Sequence, residues 1–247
     1  NLSESRKGRS MKVYQQGILH MRFAVAEVPR GERTPEVLIR RRVQSAARRL
    51  QKAGVSKAGL PRDFPYLQQL GKYGITPVST LPLRRQLAAE WVQVAMEDQG
   101  VSGSSARVAV TAAQMTAELV RTVTELSLRN RYVLLEVPYG GEELGRQLRR
   151  EYGVSLLLDP TAEQLEEAEA LVLFDNRPDL RRKNPVVLEL YQGAETPMPP
   201  LVLPPALEEQ LPKDADREQL LAALQEGGVL RPGQIVLGKA AQLPLRP

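Results

Sequence analysis

Three acidic residues, Glu136, Asp159 and Asp175, each close a short apolar run: YVLLE, SLLLD and ALVLFD. A carboxylate at the end of a buried strand can accept hydroxyl hydrogens, act as acid or base, or ligate a metal. Between a run RVAVT and a helical pattern lies the turn Thr111-Ala112-Ala113-Gln114-Met115-Thr116. A helix starting after such a turn offers free N–H groups to an anion, and the Thr111 and Thr116 hydroxyls could assist. Arg40, Arg41, Arg42, Arg48, Arg49 and Lys52 lie on one helical pattern and could face a polyanion or nucleic acid. No aromatics interleave with them, so stacking on single strands has no support. The other reading is a solvated helix face.

Other chemistry is excluded or unsupported. Cysteine is absent and His20 is the only histidine. That removes disulfides, thiolate nucleophiles, Cys-ligated zinc or iron–sulfur clusters, and any pair of catalytic histidines. His20 sits in an apolar run and reads as a core or edge histidine. No G-x-S-x-G elbow and no Walker sequence occurs. No catalytic residue and no metal site is assigned.

These residues need elements to position them. Ile18–Val28 reads as one buried strand. Thr34 as N-cap, Pro35 at N1 and Glu36 in the first turn then open a helix. Its stripe is Ile39, Val43, Ala46, Leu50 and Ala53, and Gly54 stops it. A short strand around 55–60, a helix around 64–73 and a strand ITPVS follow. A helix from Pro82 buries Leu83, Leu87, Trp91 and Val94, and ends at Gly100. The second half alternates more clearly. Strands ARVAVTA, RYVLLEV, VSLLLD, ALVLFD and PVVLELY are separated by helical patterns. One has Leu119, Val123 and Leu126 inward. Another carries Leu144, Leu148 and Tyr152, and a third opens on a Thr161…Gln164 capping box. The strands lack polar faces, as expected when helices cover both sides of a parallel sheet. The expected fold class is α/β: a doubly wound, mostly parallel sheet, with a Rossmann-like second half.

Four regions are expected. Residues 1–17 form a basic leader, disordered in part, with Met11 as a candidate start. Residues 18–100 and 101–195 are α/β regions, which form two lobes or share one sheet. Residues 196–247 hold a proline-rich connector, a helix and a strand. The first 60 residues carry fourteen Lys/Arg against four Asp/Glu, a net of +10, in a chain of 247 residues whose total is +5. No apolar run reaches the roughly 20 residues of a membrane helix, and no signal-peptide stretch opens the chain. A cytoplasmic protein with no membrane partner is expected.

The order of elements from Arg107 to Asp175 resembles the Rossmann dinucleotide-binding domain of dehydrogenases. The resemblance places that family's three glycines at Thr111, Ala113 and Thr116, and its ribose-binding acid at Glu136. It implies NAD as the cofactor, because a carboxylate repels the 2′-phosphate of NADP. The sequence departs from the family at all three glycines. A methyl at Ala113 stands where a pyrophosphate would lie, and Thr116 puts a branched side chain where helix and strand must pack closely. Tyr139-Gly140-Gly141 gives either a backbone approach to a ligand or a loop before the next helix. The 176–184 segment, NRPDLRRKN, is either a phosphate clamp or a surface loop. The leading expectation is a non-catalytic binding or regulatory protein with a protein partner and no cofactor. The alternatives are an NAD(P)-linked oxidoreductase with a glycine-free turn, and a polyanion binder acting through the Arg40–Lys52 helix.

Overall fold

Strands without a polar face must be covered on both sides, and this requirement organises the second half of the chain. The computed structural model describes residues 2–3, 11–31, 33–61, 63–103, 105–194, 196–212, 215–231 and 233–238. The first elements are β1 (Leu2–Ser3), β2 (Lys12–Ile18), β3 (Met21–Glu27), α1 (Glu36–Lys52), β4 (Lys57–Ala58), α2 (Leu67–Gly71) and β5 (Thr76–Pro77). Next come α3 (Leu81–Gln86), α4 (Ala88–Asp98), β6 (Arg107–Thr111), α5 (Ala117–Arg129), β7 (Tyr132–Glu136), α6 (Gly141–Tyr152) and β8 (Leu156–Leu158). Then follow α7 (Ala162–Glu166), β9 (Ala170–Leu173), β10 (Val186–Glu189), β11 (Leu201–Val202), α8 (Pro205–Glu208), α9 (Arg217–Glu226) and β12 (Val236–Leu237). The chain divides into unit 1, Asn1–Thr80 with Leu201–Ile235, and unit 2, Leu81–Pro200 with Val236–Pro247. Of the expected leader, residues 1 and 4–10 lie outside the described residues.

Unit 2 is built on a five-stranded sheet in the order β10-β9-β6-β7-β8, with every pair parallel. The chain runs outward from β6 to β7 and β8, then returns past β6 to β9 and β10. Right-handed crossovers in opposite directions put their helices on opposite faces of the sheet. Numbered from β6, the order is 3-2-1-4-5, the doubly wound Rossmann-like arrangement expected from the sequence. Val108, Ala109, Val110, Leu171, Val172 and Leu173 are fully buried at its centre. Leu119, Val123 and Leu126 of α5 and Leu144 and Leu148 of α6 are buried as the stripes require. Tyr152 is not: it ends α6 and is exposed. The helix expected from Pro82 breaks at Leu87 into α3 and α4, yet Leu83, Leu87, Trp91 and Val94 are all buried.

Unit 1 departs further from the sequence reading. The strand expected over 18–28 is one arm of a hairpin: β2 pairs antiparallel with β3 from Lys12↔Glu27 to Ile18↔Met21. Residues 12–17, grouped with the leader on charge, are its other arm. The two-residue turn is Leu19-His20, with φ of 48° and 68°. Both values are positive because the mirror-image turn matches the twist of the flanking strands. His20 is therefore an exposed turn residue and not a core histidine. Helix α1 buries Ile39, Val43, Ala46, Ala47 and Leu50, while Ala53 is its exposed C-cap. Thr34 does not cap it; the hydroxyl accepts from the Gly31 N–H at 3.0 Å and closes the preceding turn. Helix α9 completes this unit with buried Leu220, Leu221 and Leu224. Gln219 ties it in, accepting from the Leu60 N–H at 2.8 Å and donating to the Leu60 carbonyl at 2.9 Å.

Candidate functional site

The strand order reverses between β6 and β9, so connections leave their carboxyl ends in opposite directions, which is where open α/β sheets form a crevice. Open α/β sheets bind ligands at such a point. The residues at the end of β6 are already engaged. Thr111 is fully buried, and its carbonyl accepts from Phe174 N–H at 3.0 Å. Its Oγ1 has no hydrogen-bond partner among the described residues. The Ala112 N–H donates to the Glu136 carbonyl at 3.0 Å. The Ala113 N–H donates to Asp175 Oδ2 at 2.6 Å. Thr116 caps α5, its hydroxyl accepting from Leu119 N–H at 3.2 Å. The N–H that a Rossmann cradle would offer to phosphate thus holds a carboxylate of the chain itself.

Glu136 is engaged as well. Arg177 donates through Nη1 to Glu136 Oε2, and through Nη2 to Oε1 at 3.4 Å. The same guanidinium reaches Asp179, from Nε to Oδ1 at 2.9 Å and from Nη2 to Oδ2 at 2.8 Å. Hydrogen bonding from Arg177 holds the Asp179 carboxyl below its ordinary range. Hydrogen bonds to Asp179 and then to Glu136 push Arg177 up in turn, so it stays charged throughout. Charge-assisted pairs of this kind are stronger than neutral ones. The acid that the resemblance assigns to a ribose is paired with a guanidinium two residues beyond Asp175.

The neighbouring loop is filled from the same turn. Gly140 has φ 85° and caps α6, and Gly141 starts it. A Cβ on Gly140 would stand 3.4 Å from Met115 Cε, and one on Gly141 would meet Val137 Cγ1 at 3.2 Å. These two glycines serve a left-handed turn and close packing against Met115 and Val137. Asp159, the third strand-ending acid, takes part in neither carboxylate contact. It is exposed with φ 51°, and its N–H donates to the Leu135 carbonyl at 3.3 Å. The expected Thr161…Gln164 capping box follows it.

Arg85 of α3 braces the floor of the crevice. It donates to the Leu190 carbonyl at 2.9 Å, the Phe174 carbonyl at 3.1 Å and Glu118 Oε2 at 2.9 Å. Its guanidinium also lies over the Phe174 ring, 5.1 Å from the centroid. One side chain therefore joins the carboxyl ends of β9 and β10 to the first turn of α5. Sequence reasoning missed Arg85, and it placed Arg177 only within the 176–184 segment, read as a phosphate clamp or a surface loop, without its pairing to Glu136. The only local signal was an arginine two positions after a strand-ending aspartate.

Outside the crevice, Arg40 pairs with Glu36 at 2.6 Å and Arg42 donates to the Pro29 carbonyl at 2.7 Å. Arg41, Arg48, Arg49 and Lys52 are exposed on α1. Among the described residues, no group of three or more His, Asp or Glu could hold a metal ion. No described helix is long and apolar enough to cross a membrane.

No protein-family model matches this chain, and no curated protein matches it. Among solved structures it is similar to L-tryptophan dehydrogenase from Nostoc punctiforme, with 12% identity over 61% of this chain and 44% of that one, at a TM-score of 0.29. It is also similar to a protein described as an aspartate carbamoyltransferase from Trypanosoma cruzi. There the identity is 14% over 61% of this chain and 57% of that one, at a TM-score of 0.28. The chain spans about half the length of either protein. The Rossmann-like assignment stands on the sheet order and not on these likenesses.

Proposed function

We propose that this chain is a non-catalytic Rossmann-like binding or regulatory protein, in which the fold serves as a scaffold for contact with another protein. The observation that carries this reading is the 2.6 Å hydrogen bond from Ala113 N–H to Asp175. A dinucleotide's pyrophosphate would have to displace that carboxylate and then tolerate its charge nearby, since like charges at contact distance repel. Its ribose would have to break the Arg177–Glu136 pair. Two intramolecular contacts therefore oppose the two halves of the same ligand. Tyr139 in the adjoining loop is 87% exposed and offers an aromatic handle to a protein partner.

Calorimetric titration with NAD, NADH and NADP tests the reading. The expected result is no saturable heat with the wild-type chain. Saturable binding that Glu136→Ala weakens would overturn it in favour of an NAD-linked oxidoreductase.

A further inference from the structure

Unit 1 contains a cavity of about 440 Å³. That lies within the size range of pockets that hold small organic ligands, roughly 300–1,000 Å³. Its floor is apolar: Leu50, Ala58 and Leu220 are each at most 6% exposed. Its exposed rim carries Arg22, Lys57 and Glu226. Lys57 and Glu226 pair with each other. Gln219, another polar lining residue, is held by both its hydrogen bonds to Leu60. Arg22 has no carboxylate partner among the described residues. The lining thus presents apolar surface below and one uncompensated guanidinium at the edge.

We propose that this cavity binds a small amphiphilic carboxylate. The apolar body lies over Leu50, Ala58 and Leu220, and the carboxylate meets Arg22. The choice of an anion follows from the charge left over at the rim. A guanidinium and a carboxylate form a charge-assisted, two-pronged contact that an alcohol cannot make. The choice of an apolar body follows from the floor, where burial of hydrocarbon supplies the affinity and an unpaired polar group would be penalised. This inference is independent of the filled crevice in unit 2.

Octanoate and 1-octanol are the probes, titrated calorimetrically into the full chain. Octanoate is expected to bind saturably at one site. Arg22→Ala, an exposed position, should weaken octanoate about tenfold while leaving 1-octanol unchanged. Ala223→Phe fills the cavity from α9 and should abolish binding of both, with its fold checked by circular dichroism and thermal unfolding. The result that overturns the proposal is no saturable octanoate binding by the wild-type chain. Equal octanoate affinity in the wild type and Arg22→Ala would overturn it as well, and this comparison stands even if Ala223→Phe fails to fold.

Discussion

The crevice of unit 2 and the cavity of unit 1 are finished in opposite ways. At the carboxyl ends of β6, β7 and β9, the chain supplies its own anion to Ala113 and its own cation to Glu136. In unit 1, buried apolar residues line the floor of a cavity, and Arg22 on its rim has no carboxylate partner among the described residues. The first place has the topology of a ligand site, but its Ala113 N–H and its Glu136 carboxylate are already used. The second has free groups without a topology that announces them. Position in a fold indicates where a ligand could sit, but only the state of the donors and acceptors there decides whether one can.

That contrast can be broken at the crevice. The largest effect belongs to Arg85, whose side chain is 20% exposed and serves two carbonyls and Glu118. Arg85→Ala leaves these groups unpaired and should cost about 3 kcal/mol in urea unfolding. Arg177→Ala comes next. Its pair with Glu136 is partly exposed, so solvent screening reduces the loss to about 1–2 kcal/mol. Glu136 is then free, and any gain in ribonucleoside affinity would mark Arg177 as the block. Asp175→Asn keeps an acceptor for Ala113 but removes the charge, and should cost less than about 1 kcal/mol. If like-charge repulsion excludes phosphates, this variant should bind inorganic diphosphate more tightly than the wild type. Unchanged affinity in a titration would show that crowding, not charge, closes the crevice.

The smallest effect is with pH. The folded-state pKa of Asp179 is depressed from its ordinary value of 3.8. Its contribution is present above that value and is lost as pH falls through the lower folded one. Arg177 does not titrate in this window. Stability followed by circular dichroism should therefore fall more steeply below the ordinary Asp range in the wild type than in Asp179→Asn.

Much of unit 2 was legible because its signals are local. Apolar runs such as RYVLLEV have no face for solvent. The stripes of α5 and the Thr161…Gln164 box lie within single elements. The pairings at the crevice were not legible. Asp175 reaches Ala113 only because β9 is laid beside β6, a choice made by sheet order across 62 positions of sequence. Unit 1 hid its hairpin for another reason. Two-residue turns with positive φ usually show Asn or Gly, whereas Leu19-His20 reads as more strand. The charge of Lys12 and its neighbours drew the first arm into the leader, although seven residues pair in strict register. Thr34 had the right type for a cap, but its hydroxyl is taken by a turn that propensity does not see.

Unit 1 is discontinuous: its hairpin and α1 precede the Leu81–Pro200 segment of unit 2 in the chain, and α9 follows that segment. During synthesis the segment from Leu81 to Pro200 leaves the ribosome as an uninterrupted stretch, whereas the earlier eighty residues must wait for α9. Until then the hairpin–α1 layer lacks Leu220 beside Leu50 and Ala58 in the cavity lining, and Leu60 lacks its two hydrogen bonds to Gln219. Translation speed across the intervening 120 residues therefore sets how long that layer is open to chaperones or to misassembly.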